Sequence, residues 1–216
     1  MRSIADPHFR VENYETFCGR LRPVLPPREL MLVEVAYVFS KHGHRAQVRK
    51  NEKDPRTGKA LRYFEHPRRV TLILIDIVGC VEPAVLQAAL IHDGVEDTKL
   101  IRPLLVEVVF GEKVANIVKL LSKKPKRGYL KRLVAFGDWR VLLIKACDRL
   151  DNLRTMTTSS REFQIKQVTE TRKKYFPVFD LMLRRVPARY RAGATRVYDE
   201  IKAIVTRYEA TFEKTS

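Results

Sequence analysis

Ala88-Ala89-Leu90-Ile91-His92-Asp93-Gly94-Val95-Glu96-Asp97-Thr98 runs from an uninterrupted apolar segment into two pairs of ionisable side chains. A helix turns by about 100° per residue, so the neighbours His92 and Asp93 are expected to lean toward one point near the helix end, and Glu96 and Asp97 repeat the pair one turn later. An imidazole beside a carboxylate is a two-donor bite for a divalent cation, and a second acidic pair suits proton handling on a water. Taken alone, the His-Asp dipeptide equally describes a solvated helix end. Ligands elsewhere in the chain decide between the two.

Working outward, Gly and Pro rarely interrupt the periodic segments and strand-like alternation is scarce, so the fold class is all-α. Residues 1–27 read as an N-terminal arm with one short helix, ending in Pro23, Pro26 and Pro27. A buried helix is expected from Arg28 to about Val48, its basic end placing Arg45 and Arg49 on one face with Lys50 beside them. A polar loop from Asn51 to Leu61 follows and ends at Tyr63-Phe64-Glu65-His66-Pro67. Because the residue before proline avoids the α region, His66 should sit just before a helix running from Pro67 to about Val78, which fixes an imidazole at a helix entrance. The helix containing His92 should span Glu82 to about Gly94, and shorter ones 103–110 and 112–121. Lys123-Lys124-Pro125-Lys126-Arg127-Gly128 makes a basic loop, either solvated surface or a phosphate cover.

A long helix is expected from Trp139 to about Arg154. Its first half is apolar, and its second half puts Asp148, Asn152 and Thr155 on one face. A carboxylate after such an apolar run is costly unless paired or metal-bound, which makes Asp148 the best candidate for a distant ligand. Two amphipathic helices, roughly 161–182 and 187–213, complete the chain. Residues 28–160 then form the main domain, with 161–216 packed on it.

The composition narrows the function classes. An apolar fraction of 45% suits a folded globule. The longest apolar run, from Val70 to Ile75, stops at Asp76, so no membrane-spanning segment is expected. The N-terminus has no signal-peptide core and Cys18, Cys80 and Cys147 make no CxxC pair, so the chain reads as cytoplasmic with buried free cysteines. The net charge of +17 is uneven: residues 71–122 carry −3, whereas 41–70 and 123–160 carry +7 each. Basic segments flanking an acidic site would focus a polyanion onto it, and the same charge is compatible with RNA as a partner.

The ordered set Arg49-Lys50, Tyr63-x-x-His66-Pro67, His92-Asp93-x-x-Glu96-Asp97-Thr98 and Asp148-Arg149-Leu150-x-Asn152-x-Arg154-Thr155 resembles the HD-superfamily hydrolase domain of RelA/SpoT-type alarmone enzymes. In length the chain is most similar to the stand-alone small alarmone hydrolases, and the match covers about residues 30–160. The resemblance implies an HD-domain helical bundle and a single-metal pyrophosphohydrolase, usually with Mn²⁺. Such an enzyme removes the 3′-diphosphate from guanosine tetra- or pentaphosphate. By position it makes His66, His92, Asp93 and Asp148 the metal ligands. Glu96 and Asp97 become the groups that activate or protonate, and Arg49, Lys50, Tyr63, Asn152 and Thr155 the nucleotide holders. About sixty residues follow Met156, too few for a synthetase domain, so a purely hydrolytic role is expected.

Two departures from the family pattern stand out. The loop between Lys50 and His66 is long, with Gly58-Lys59-Ala60-Leu61-Arg62-Tyr63 where the family has Gly-Glu-Pro-Tyr, and Asp151 replaces a histidine. Both are expected to line the nucleotide side rather than the metal side. They leave open an adenosine alarmone, a nicotinamide dinucleotide phosphate or a pyrophosphorylated tRNA 3′ end as substrate. A non-catalytic RNA-binding module is the alternative from a different class.

Overall fold

The computed structural model describes residues 13–53 and 57–213, and it is all-α apart from one hairpin. Two helices organise the core because they are buried on nearly every side. One is α4 (Pro83–Ile91), in which every residue from Val85 to Ile91 is buried. The other is α9 (Trp139–Thr155), buried almost without break from Val141 to Leu153. Asp138 starts α9 by accepting hydrogen bonds from the backbone N–H groups of Arg140 and Val141, at 2.9 and 3.2 Å. A cap of this kind contributes about 1 kcal/mol. Proline sits in the first turn of α4, as it does in α2 (Pro27–Gly43) and α6 (Pro103–Phe110).

Around this pair lie α1 (Tyr14–Gly19), α3 (Glu65–Leu72), α5 (Gly94–Asp97), α7 (Glu112–Leu121), α8 (Tyr129–Phe136), α10 (Arg161–Glu170), α11 (Phe176–Arg185) and α12 (Ala188–Glu213). Helix α4 packs on α2, α3 and α7, and α9 on α3, α7, α11 and α12. Phe17, Cys18 and Leu21 are fully buried, so the described part of the N-terminal segment is joined to the core. All three cysteines are free and buried. No helix among the described residues is long and apolar enough to cross a membrane.

Four expectations are corrected. Helix α2 stops at Gly43, and Val48–Lys53 forms strand β1, antiparallel to β2 (Ala60–Arg62). Arg49 therefore sits on a strand and shares no helical face with Arg45. The segment from Asn51 to Leu61 contains the hairpin rather than a plain loop. Strand β1 is longer than its partner and the register shifts between its ends, and Arg49 and Glu52, three residues apart on it, are in contact. Helix α8 fills a stretch for which no helix was expected, and α3 begins at Glu65, which puts His66 in its first turn.

The C-terminal segment is fixed to the core by close contact. A Cβ on Gly193 of α12 would fall 2.4 Å from the Val78 Cα and 2.6 Å from the Val78 carbonyl oxygen, so only glycine lets α12 approach there. Arg154 of α9 clamps Glu200 of α12 through two hydrogen bonds of 2.7 Å.

Candidate metal centre and nucleotide cleft

The metal-facing residues converge from three helices. His66 comes from the first turn of α3, His92 and Asp93 from the end of α4, and Asp148 from the middle of α9. His66 Nε2 lies 3.2 Å from Asp148 Oδ1 and 3.5 Å from Asp93 Oδ2. His92 Nε2 lies 3.3 Å from Asp93 Oδ1 and 3.9 Å from Asp148 Oδ1. One ligand atom from each of His66, His92 and Asp148 falls within 4.8 Å of the others.

Both imidazoles are held with Nε2 inward. His92 Nδ1 donates to the Ala89 carbonyl oxygen at 2.8 Å, and its buried Nε2 has no hydrogen-bond partner among the described residues. His66 Nδ1 lies 2.7 Å from Asp151 Oδ2. An acceptor behind each ring assigns the proton to Nδ1 and leaves Nε2 as the donor atom, the arrangement of metal-bound histidines. Two imidazole nitrogens and two carboxylates suit a first-row divalent ion, so the residues present fit the metal the sequence implies.

The electrostatics agree with a cationic occupant. Burial disfavours the charged forms of Asp93 and Asp148, but their neighbours outweigh it. His92 and His66 hold Asp93 down at about 2, and Lys145 with His66 holds Asp148 well below the carboxylate range. Burial and the Arg49 charge oppose protonation of His66, yet its hydrogen bonds to Asp148 and Asp151 raise it to about 9 without metal. A bound metal ion would take the place of that proton.

Gly94 explains the tight turn after Asp93. A Cβ there would come within 2.5 Å of the Ile101 side chain, so the absence of one lets Ile101 support the turn from beneath. The turn separates the second acidic pair. Asp97 faces the cleft, where the Tyr63 hydroxyl reaches its Oδ2 at 3.2 Å and Asp93 Oδ2 at 2.7 Å. Burial, then the Asp93 charge, pushes the Asp97 carboxyl up. Burial and Asp93 likewise push the Tyr63 phenol far up, so it remains a donor. Glu96 turns to the basic loop instead: its carboxylate accepts the Lys123 backbone N–H, and Lys124 Nζ donates to its carbonyl oxygen at 2.6 Å.

Outside the donor set opens a cleft of about 630 Å³. Arg49, Asn152 and Thr155 meet on its wall, where Arg49 Nη2 donates to Asn152 Oδ1 at 3.2 Å and to Thr155 Oγ1 at 3.4 Å. Asn152 also donates to Asp148 Oδ1 at 2.6 Å, so it supports a metal-facing carboxylate as well as the wall. Lys50 lies on β1, and its side chain falls outside the described residues.

Two cleft residues had no role in the sequence reading, and Lys123 was read there only as part of the basic loop. Lys145 is buried in the apolar half of α9 and donates to Asp148 Oδ2 at 2.6 Å. Arg149 stacks on the Tyr175 ring with 4.0 Å between guanidinium carbon and centroid, and donates to Gln167 Oε1 at 2.6 Å. Lys123 stands at the rim. A lysine three residues before a candidate carboxylate ligand on a helix was the available signal.

Asp151 corrects an expectation. It lies on the metal side, against His66, and not on the nucleotide side.

The HD domain family profile matches residues 36–180, and the chain belongs to the HD domain family. It is 36% identical over 167 residues to a GTP pyrophosphokinase of Streptomyces coelicolor, covering 72% of this chain and 18% of that protein. It is 29% identical over 201 residues to the GTP pyrophosphokinase rsh of Brucella melitensis, covering 88% of this chain and 24% of that one. The chain thus spans about a fifth of these relatives' length. A solved structure of a metazoan SpoT orthologue, described as hydrolysing ppGpp with a role in starvation responses, superposes with a TM-score of 0.62. That pair is 26% identical, and the match covers 82% of this chain and 97% of the other.

Proposed function

We propose that the protein is a guanosine-3′,5′-bis(diphosphate) 3′-pyrophosphohydrolase that uses one Mn²⁺ ion and works in the cytoplasm. The observation that carries this reading is the inward pairing of His66 and His92 Nε2 with Asp93 and Asp148 at the floor of a cleft lined with buried cations. The 26% identity and near-complete coverage of the metazoan SpoT orthologue support the choice of substrate.

His66, His92, Asp93 and Asp148 would hold the cation, which when bound supplies a water of lowered pKa and draws charge from the phosphoryl oxygens. Asp97 takes the proton from the attacking water, and its raised pKa makes that exchange easier near neutral pH. Tyr63 holds Asp97 and Asp93 in place through one hydroxyl. Water adds across the ester bond between the ribose 3′ oxygen and the diphosphate. The water oxygen goes to phosphorus, the 3′ oxygen leaves with a proton, and pyrophosphate with GDP or GTP results. Arg49, Asn152 and Thr155, with Lys50 from the same strand, hold the nucleotide. Lys145 and Arg149 offset the phosphate charge, which counts for more in a partly buried cleft than in water. Glu96 keeps the basic loop against the site.

The test compares kcat/KM for pyrophosphate release from guanosine 3′,5′-bis(diphosphate), its adenosine analogue and a 3′-pyrophosphorylated tRNA, each with Mn²⁺. The guanosine compound is expected to lead by at least tenfold. Preference for either other substrate would reassign the cleft, and strong salt dependence on tRNA would point to the basic surface as its binding site.

A further inference from the structure

Behind the metal-facing atoms, charged side chains and the amide of Asn152 form a closed circuit. His66 Nδ1 lies 2.7 Å from Asp151 Oδ2, and Arg69 Nε donates to Asp151 Oδ1 at 2.7 Å. Arg69 Nη2 donates to Glu52 Oε2 at 2.7 Å, and Arg49 Nε donates to Glu52 Oε1 at 2.5 Å. Arg49 then reaches Asn152, and Asn152 reaches Asp148 Oδ1, the oxygen 3.2 Å from His66 Nε2. The circuit leaves one metal-facing residue and returns to another. It draws on β1, α3 and α9, and Arg49, Glu52, Asn152 and Asp148 among its members line the cleft. The side chains of Asp151, Arg69 and Glu52 are 2%, 5% and 9% exposed, so solvent does little to screen their interactions.

We propose that Glu52 and Asp151 are positioning residues that tie the nucleotide-facing Arg49 to the metal-facing His66. Asp151 accepts from His66 Nδ1 and so aims Nε2 inward. Arg69 grips both oxygens of Asp151, the second at 3.1 Å, and fixes the plane of that carboxylate. Glu52 keeps Arg69 in place from the other side while holding Arg49 at the cleft wall. The link is possible because Arg49 and Glu52, three residues apart on the irregular β1, meet in that direct hydrogen bond. Partners behind a metal-bound histidine commonly change metal affinity 10–100-fold. Here the same line of contacts extends to a residue that touches neither the histidine nor any other metal-facing group.

The inference rests on the metal reading above, and the experiment separates the two. Mn²⁺ affinity is measured by titration calorimetry on the full-length wild type, Glu52→Gln and Asp151→Asn. The ¹⁵N and ¹H signals of the His66 Nδ1–H group are recorded on the metal-free proteins. Wild type is expected to bind one Mn²⁺ and to show the Nδ1 proton far downfield, as a proton shared with a carboxylate is. Asp151→Asn should weaken Mn²⁺ at least tenfold. Glu52→Gln should weaken it severalfold and move the Nδ1–H signal upfield, although residue 52 does not touch the ring. Unchanged affinity and an unchanged signal in Glu52→Gln overturn the inference while leaving the metal site standing. A wild type that binds no Mn²⁺ overturns the metal reading itself. If Glu52→Gln does not fold, Arg69→Lys is the second variant, since it keeps the charge but loses the two-sided grip on Asp151 and Glu52. An unmoved His66 signal there overturns the inference equally.

Discussion

Asp148 gives one carboxylate oxygen to each side of the site: Oδ1 faces His66 Nε2 at 3.2 Å, and Oδ2 accepts a 2.6 Å hydrogen bond from Lys145 Nζ. Lys145 is 3% exposed, so Asp148 is at once the candidate ligand and the counter-charge of a buried lysine. Asp148→Ala should lose Mn²⁺ and all measurable turnover. It should also lose about 3 kcal/mol of stability in the metal-free state, because the lysine is left unpaired. Denaturant melts with and without Mn²⁺ check both. A metal-free variant as stable as wild type would show that the pair contributes nothing.

Glu96 and Asp97 are adjacent, yet only Asp97 shares the Tyr63 hydroxyl with Asp93. Asp97→Asn should keep Mn²⁺ and lower kcat by two orders of magnitude or more, the usual scale for a general base. Glu96→Gln can still accept the Lys123 N–H, so its kcat should fall less than tenfold. Equal losses in the two variants would return Glu96 to proton handling.

Tyr63→Phe removes one hydroxyl and leaves two carboxylates without their shared donor. Mn²⁺ binding should persist and kcat should drop about tenfold, with stability changed by no more than about 1 kcal/mol, the net worth of a typical hydrogen bond. Steady-state kinetics beside thermal melts distinguish this from a structural loss.

His66 sets the pH response. Its pKa in the metal-free protein stands near 9, above the ordinary 6.5. The stability this contributes is fully present below pH 6.5 and is lost as pH rises through 9. Mn²⁺ competes with the same proton, so its affinity should rise across pH 6.5–9 and then level off. Calorimetry in buffers of different ionisation enthalpy should detect proton release at pH 7. Affinity that stays flat over this window would contradict the assignment of the proton.

Gly94→Ala drives a methyl group into Ile101, which supports the turn carrying His92, Asp93 and Asp97. Overpacking of this kind costs about 1–3 kcal/mol. Metal affinity should fall together with the melting temperature. Ile101→Val in the same chain should recover part of both.

The chemistry-bearing helices were legible because their apolar runs end in charged groups at helical spacing. Asp148 stood out for the cost of a carboxylate in an apolar helix, and His66 for its place beside Pro67. The hairpin was hidden because Val48-Arg49-Lys50-Asn51-Glu52-Lys53 has no apolar alternation, and only pairing with Ala60–Arg62 makes it a strand. Lys145 was hidden within an apolar run, its one signal in the sequence being the carboxylate of Asp148 three residues on. Asp151 was misplaced because α9 is buried on almost every side, so spacing cannot say which neighbour each face meets. The divergence of Glu96 and Asp97 has a local reason. Helix α5 is a single turn, and its two acidic residues point to different walls.

The most direct test of the central claim is release of pyrophosphate from guanosine 3′,5′-bis(diphosphate) by protein stripped of metal and then titrated with Mn²⁺. The stripped protein should be inert, and turnover should rise to a plateau at one equivalent of metal, with GDP as the second product. Turnover without metal, or none after one equivalent has bound, would contradict the assignment of His66, His92, Asp93 and Asp148 to a hydrolytic metal centre.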